Sequence, residues 1–477
     1  MNKGEDVILD IESLSGDGNT VARLDGVVFF VSHAPGGENA VPGDTIRARI
    51  WKIKKNYVEA RAAEIITPSP HRTTARCRHF GVCGGCRWQN LEYEKQLQFK
   101  RQHIIDTFKR IGSFDAPVVL PVIGCEDPYF YRNKMEFTFS NYRWLSVEEM
   151  QRQDEIGSEL ALGFHVPERY DKVVNVEECW LQSEVSAAIV NSVREICKGW
   201  DLSVYSTETH EGYLRHLVIR EGKRTENLMV NLVTTTDWPE AMQKFTSLLV
   251  KHFPQITTVV NNITDRKSMV AFGDHEKVYH GPGFITERLG DYSFRISANS
   301  FFQTNTVQAE KLYGVAREFG ELKPDDVVYD LYSGTGTISL FLSDAVERVI
   351  GLEAVESAIA DAHRNAELNH ISNCYFLQGD LKDRLTKDSP ERSGLAEHPR
   401  PTVIVTDPPR SGMHEKVIRQ IVKLAPRSVV YVSCNPATQA RDASLLAAGG
   451  YMLRKIQPVD MFPHTDHIEA VALFSRW

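Results

Sequence analysis

The chain reads as a multidomain α/β protein. A small N-terminal OB-like β-barrel is expected over residues 1–63, a β-rich middle carrying a cysteine cluster over 64–280, and a Rossmann-like, doubly wound domain over 281–477. Three observations predict this. Short apolar runs separated by Gly/Asp turns crowd the first 63 residues, thiols recur at short spacing from Cys77, and strand and helix patterns alternate after about Gly281. A length of 477 residues exceeds what one ordinary core organises, in keeping with the division.

The barrel strands are read from Val7–Ile11, Val27–Val31, Thr45–Ile50 and Tyr57–Arg61, with basic residues Arg47, Arg49, Lys52, Lys54 and Lys55 on or beside the later ones. These cations suit contact with an RNA backbone, or the barrel is a structural appendage. A helical stretch from about Tyr93 to Ile111 is expected to pack on the C-terminal domain. In the middle, Glu136–Phe139 and Leu228–Val233 read as strands.

In the last domain, strand Val327–Tyr332 runs into Ser333-Gly334-Thr335-Gly336-Thr337 and an apolar helix, Ile338–Ala345. Further strands are Arg348–Glu353, Cys374–Leu377, Val403–Asp407 and Val429–Ser433, and Met452–Ile456 with Ile468–Phe474 form an expected antiparallel edge pair. The stretch from Asp388 to Arg400 reads as a polar loop.

Composition sets the class. With 42% hydrophobic and 25% charged residues the chain is that of a soluble globular protein. No apolar run approaches the roughly 18 residues of a membrane span, and the start lacks the apolar core of a signal peptide. The expectation is a cytoplasmic protein without a membrane partner, monomeric by default. A net charge of −8 disfavours an indiscriminate nucleic-acid coat, and no DNA partner is expected. Residues 71–110, however, carry a local balance of +6, which either holds phosphates or is a solvated basic surface.

Ligands of open α/β sheets bind at the carboxyl ends of the strands, so Tyr332, Gly334, Gly336, Glu353, Asp380, Asp407 and Cys434 share one rim. The glycines admit a ligand close to the backbone, and Glu353 can accept both hydroxyls of a ribose. Ser339 stands where a dinucleotide fingerprint has its third glycine, favouring a nucleoside without pyrophosphate, such as S-adenosylmethionine. Asp407-Pro408-Pro409-Arg410, Cys434 and Glu469 form a second group. A thiolate added to carbon 6 of uracil makes carbon 5 nucleophilic, and a carboxylate can later remove the carbon 5 proton. Cys434 and Glu469 fit those roles, and Arg410 in place of an aromatic residue disfavours amino-group methylation. Against this stand two plainer readings: Cys434 as a core thiol and Glu469 as a solvated acid on an edge strand.

The third group is Cys77, Cys83, Cys86 and the distant Cys179. Four thiolates suit a [4Fe-4S] cluster or zinc, or the thiols are unliganded. Cys125, Cys197 and Cys374 read as packing residues.

Together these residues resemble the RNA uracil-5-methyltransferase family, in its 23S rRNA branch with an N-terminal TRAM barrel. The likeness covers essentially the whole chain through the four cysteines, Tyr131-Arg132-Asn133-Lys134, Asn299-Ser300-Phe301-Phe302-Gln303, Asp407-Pro408-Pro409-Arg410, Ser433-Cys434-Asn435-Pro436, and Asp460-Met461-Phe462-Pro463-His464 leading to Glu469. It implies S-adenosyl-L-methionine contacts at Gln303, Tyr332, Glu353 and Asp407, Cys434 as nucleophile, Glu469 as proton acceptor, and a [4Fe-4S] cluster on Cys77, Cys83, Cys86 and Cys179. It also implies Phe301 beside a flipped base and Arg132 near the RNA, with 23S rRNA as substrate and the T-loop uridine of tRNA as the alternative; Arg410 is expected to contact the RNA as well. Ser333 departs from the family, which usually has Cys there. Radical S-adenosylmethionine methylthiotransferases, which use a C-x3-C-x2-C triad where this chain has C-x5-C-x2-C and a separate doubly wound domain, and a non-enzymatic RNA-binding protein, which has no need of Cys434 with Glu469, are the rival classes.

Overall fold

The computed structural model describes residues 1–476 except 17, 34–35, 38, 147–148, 151–158, 386–394 and 396. Most of the expected polar loop at 388–400 therefore lies outside the described residues. Strands Asp6–Leu14, Thr20–Leu24, Val27–His33, Tyr57–Thr67 and Thr45–Ile53 close a barrel in that order. Alternation builds it: along Thr45–Ile53, Ile46, Ala48 and Ile50 point inward onto Leu9 and Phe29, while Arg47, Arg49 and Trp51 point out. The Tyr57–Thr67 strand continues past residue 63.

The cysteine segment follows, then the helix Tyr93–Arg110, which packs on the C-terminal domain against the helix Pro436–Ala448. Ser444 Oγ donates to the Gly112 carbonyl at 2.8 Å across that contact. The middle region holds a seven-stranded mixed sheet among the described residues, in the order His275–His280, Thr258–Ile263, Leu228–Thr234, Leu214–Glu221, Lys134–Ser140, Ala161–Val166 and Arg169–Asn175. It also holds two helices that a β-rich reading omitted, Glu184–Gly199 and Pro239–His252. Both lay apolar faces on the sheet, burying Ile189, Val190, Val193, Phe245 and Leu249.

A hairpin, Phe284–Leu289 with Tyr292–Ser297, precedes the strand and helix alternation expected from about Gly281. The C-terminal sheet has the order Cys374–Gln378, Arg348–Glu353, Val327–Leu331, Val403–Thr406, Ser428–Ser433, Glu469–Arg476 and Tyr451–Val459. The first five strands are parallel, and Glu469–Arg476 pairs antiparallel with both of its neighbours. The antiparallel pair expected from Met452–Ile456 and Ile468–Phe474 closes one edge of this sheet: the last strand in sequence is paired on both sides, Tyr451–Val459 lies outermost, and bridges from Val119 to Ile456 and Ile123 to Val459 run along it. No helix among the described residues is long and apolar enough to cross a membrane.

Candidate active site and cysteine cluster

The carboxyl ends of the parallel strands form one rim. Cys434 follows the strand Ser428–Ser433 directly, in the turn to the helix Pro436–Ala448. That helix is capped by Asn435, whose side chain accepts from the Ala437 and Thr438 amides, with Pro436 in its first turn. Asn435 Nδ2 and Thr438 Oγ1 also donate to the Arg410 carbonyl, at 2.9 and 3.2 Å. The Asp407–Arg410 loop is thereby tied to the cysteine turn.

Glu469 opens the adjacent strand. Ser433 pairs with Ala470, so Cys434 and Glu469 sit one step beyond that pair on neighbouring strands. The Glu469 side chain belongs to a residue only 4% exposed, which excludes the solvated-acid reading. Burial raises its carboxyl well above the ordinary carboxylate range, the Asp407 charge adds to this, and Arg410 opposes it. Desolvation likewise pushes the Asp407 carboxyl up to about 7, with Asp330 adding. Burial pushes the Cys434 thiol up to about 11; the Glu469 charge adds to this and the Arg410 guanidinium acts against it. Two carboxyls and a thiol thus compete for negative charge in a site whose cation is Arg410.

This predicts a pH dependence. Desolvation also raises Asp330, to about 7, whereas an unfolded Asp titrates near about 3.9. A raised carboxyl contributes stability that is fully present below the unfolded value and is lost as pH rises through the folded one. The melting temperature of the wild-type protein, measured relative to Asp407→Asn, should therefore fall between about pH 4 and pH 7. Parallel curves would remove Asp407 from the desolvated cluster.

At the nucleoside end, Glu353 Oε2 accepts the Gly334 amide at 3.1 Å, and Oε1 accepts the Ala354 and Val355 amides at 2.8 Å each. Three donors orient the carboxylate and leave acceptor capacity for a diol. Gly336 has φ 79°, and a Cβ there would meet the Phe376 ring at 2.8 Å; Gly334 has φ 53°, with no protein atom within 4 Å of where its Cβ would stand. The loop is therefore packed on one side and open on the other, a cradle that fits a nucleoside. Tyr332 also adopts a left-handed backbone, φ 65°, with its amide on the Leu352 carbonyl. Ser333 is buried.

Thr335 Oγ1 donates to the Phe301 carbonyl at 3.4 Å, joining the glycine loop to the Asn299–Gln303 loop. Gln303 is buried, its carbonyl held by Asn133 Nδ2 at 2.8 Å, while the Phe301 side chain projects outward, 68% exposed. Asp380 is exposed, caps the short helix Leu381–Arg384 and pairs with Lys382 at 3.0 Å. Arg132 is half-buried over the Phe462 ring at 5.7 Å, where its charge reaches Cys86 and Cys179.

Cys77, Cys83, Cys86 and Cys179 line one small cavity of about 30 Å³, walled by Phe80, Met135, Phe164 and Trp180. Amide donors point at the sulfurs: Gly85 N–H at 3.4 Å from Cys83 Sγ and Gln89 Nε2 at 3.3 Å from Cys86 Sγ. The Cys179 loop is tied to the same segment, since Glu178 accepts the Arg78 amide at 2.9 Å and His79 Nε2 accepts the Glu177 amide at 3.1 Å. Four gathered thiols with N–H···S donors fit a thiolate-held inorganic group. Among the described residues, no set of three or more His, Cys, Asp or Glu side chains is placed to hold a single metal ion.

The basic segment needs correction. Arg72 is spent on Asp44 at 2.7 Å, Lys100 on Asp460 at 2.6 Å, and Arg101 on the Val119 and Leu120 carbonyls. Arg76 stacks on Tyr129 at 4.2 Å, and Arg78 pairs with Glu177 at 2.9 Å. Much of the +6 balance is therefore taken up within the protein, and Arg72 and Lys100 reach across to the barrel and the C-terminal domain. On the barrel, Lys52, Lys54 and Lys55 are exposed, and Trp51 lies outward between Lys3 and Arg61.

One rim of the C-terminal sheet thus gathers a thiol, buried carboxyls and an open glycine loop, and comparison with known proteins gives the class. The family model for tRNA (uracil-5-)-methyltransferase matches residues 266–477. An uncharacterized RNA methyltransferase of Chlorobaculum tepidum is 47% identical, with 91% of this chain and 90% of that protein covered. One of Porphyromonas gingivalis is 44% identical over 98% of this chain and 99% of its own length. The Pyrococcus abyssi tRNA (uracil-54, C5)-methyltransferase, solved with S-adenosyl-L-homocysteine, superimposes with a TM-score of 0.73 at 29% identity, covering 98% of this chain and 100% of that one. The chain belongs to the RNA uracil-5-methyltransferase family, and it is an enzyme that methylates RNA.

Proposed function

We propose that the protein transfers a methyl group from S-adenosyl-L-methionine to carbon 5 of one uridine in 23S rRNA, with Cys434 as nucleophile and Glu469 as proton acceptor. The observation that carries the chemistry is the placement of Cys434, Glu469, Asp407 and Arg410 on one rim beside the Gly334–Glu353 cradle; the choice of 23S rRNA rests on the sequence resemblance. Glu353, Tyr332, Gln303, Asp407 and the backbone of Gly334 and Gly336 would hold S-adenosyl-L-methionine, which supplies an electrophilic methyl group when bound; Asp380 stands further out on the same rim. Arg410 favours the anionic form of the thiol. The exposed Phe301 ring is available to stack on a base turned out of its helix, with Arg132 on the RNA side. The Cys434 sulfur adds to carbon 6, and carbon 5 becomes nucleophilic and would take up the methyl group, the sulfonium S–CH3 bond breaking to leave a neutral thioether. Glu469 then takes the carbon 5 proton, the carbon 5–carbon 6 double bond re-forms, and the sulfur leaves as a thiolate.

The four cysteines are assigned to a [4Fe-4S] cluster. The reading rests on four thiols lining one cavity, with N–H donors aimed at two of the sulfurs. Anaerobically purified protein should contain iron and sulfide in equal amounts, and Cys83→Ser should lose both. Stoichiometric zinc without sulfide would contradict this. Methyl transfer from a sulfonium needs no electron, so the cluster's role is structural.

A second reading keeps the chemistry and changes the RNA, because the Pyrococcus abyssi relative is named for a tRNA uridine. Mapping 5-methyluridine in rRNA and tRNA from cells lacking the protein separates the two. Loss at one 23S position is expected; loss in tRNA alone would replace the rRNA assignment.

A further inference from the structure

The loop 460–468 carries the chain from the edge strand into Glu469, and most of the groups that hold it come from the segment 87–131 on the far side of the sequence. Lys100 Nζ donates to Asp460 Oδ1 at 2.6 Å and to the Phe462 carbonyl at 3.0 Å. The Tyr93 hydroxyl donates to Asp460 Oδ2 at 2.8 Å while accepting the Cys125 amide at 2.7 Å. Gln96 Oε1 accepts the His464 amide at 3.0 Å, the Arg87 and Trp88 amides donate to the His464 carbonyl at 2.9 and 3.1 Å, and the Tyr131 hydroxyl donates to the Pro463 carbonyl at 3.2 Å. Asn305 and Gln308 hold the Met461 and Asp460 carbonyls at 3.2 and 3.0 Å.

Two features mark this as more than packing. The Lys100 and Asp460 side chains are 1% and 0% exposed, and a buried ion pair adds little net stability against apolar residues of the same volume, whereas it fixes register. His464 adopts a left-handed backbone, φ 65°, a strained state for a non-glycine residue that persists because both its amide and its carbonyl are held. Cys434 is carried by a different connection, whose bonds run to Arg410.

We propose that Lys100, Asp460, Gln96 and His464 are positioning residues that hold the 460–468 loop so that Glu469 meets the carbon 5 proton, and that loosening them slows release of the covalent adduct without slowing its formation. This rests on the assignment of Glu469 as proton acceptor.

The test follows adduct formation and decay in single turnovers with S-adenosyl-L-methionine and unmodified 23S rRNA and tRNA transcripts, read on denaturing gels. Lys100→Met with Asp460→Asn removes both charges together, Gln96→Met loosens the His464 contact while leaving the ion pair in place and also frees the Trp88 and Leu91 carbonyls, and Glu469→Gln is the reference. The clamp variants should form adduct at the wild-type rate and hold it about tenfold longer or more, within the range a misplaced general base costs. Release at the wild-type rate, or formation and release falling in parallel, would overturn the proposal. If circular dichroism shows the double variant unfolded, Gln96→Met decides between these outcomes. If Glu469→Gln itself traps no adduct, the assignment of the base has failed and the clamp falls with it; if only Glu469→Gln traps, the clamp alone has failed.

Discussion

Exchanging Cys434 for alanine should abolish the covalent RNA adduct and lower methyl transfer by roughly 10⁴-fold or more, the scale seen when a nucleophile is removed. Carbon 5 of an unactivated uracil is too poor a nucleophile to attack a sulfonium methyl, so no weaker route remains once the sulfur is gone. The loss should be chemical, with RNA binding within a few-fold of wild type. Cys434 stands in a turn fixed by Asn435 and Pro436, and removing its sulfur leaves those capping bonds in place. Serine should not restore activity, because a hydroxyl adds to carbon 6 far less readily than a thiolate. Adduct formation or substantial turnover by Cys434→Ala would require another nucleophile.

Glu469→Ala should give the opposite gel. Addition at carbon 6 and methylation at carbon 5 need no base at that position, so the adduct should form and persist, with turnover down by about 10²- to 10⁴-fold. Burial suits Glu469 to this work: the cost of charge in the site raises its proton affinity, and Arg410 keeps the anion accessible. The same burial makes the alanine variant easier to fold, since an acid held against desolvation is replaced by a small apolar residue. A variant that neither turns over nor accumulates adduct would move Glu469 out of the release step.

The C-terminal sheet was legible because each strand is an unbroken apolar run ending on a chemically distinct residue: Glu353, Asp407, Cys434. Glu469 was harder. Its strand, Glu469–Arg476, reads as apolar without alternation, which marks a strand buried on both faces, and it forms the expected antiparallel edge pair with Tyr451–Val459, but which member of the pair lies inside has no local signal. The antiparallel insertion beside Ser428–Ser433 is a tertiary fact. The helix Glu184–Gly199 did carry local signals, a Ser183 cap and apolar residues at helical spacing, but it stands among strands and was absorbed into a β-rich stretch. Lys100 was least legible. Its partner Asp460 lies 360 residues away, and nothing local distinguishes a buried lysine on an amphipathic helix from the solvated ones beside it. The basic run at 71–110 left its two readings open for the same reason, since charge counts do not show which cations are already paired.

The central claim is a covalent route through one thiol, and it is tested most directly by mapping the attachment site. Protein incubated with S-adenosyl-L-methionine and RNA containing 5-fluorouridine cannot complete release, because carbon 5 then carries fluorine in place of a removable proton. Digestion and peptide mass measurement should find a methylated fluorouridine nucleotide on the peptide that contains Cys434. Attachment at another cysteine, or methylated RNA released with no nucleotide bound to protein, would contradict the account.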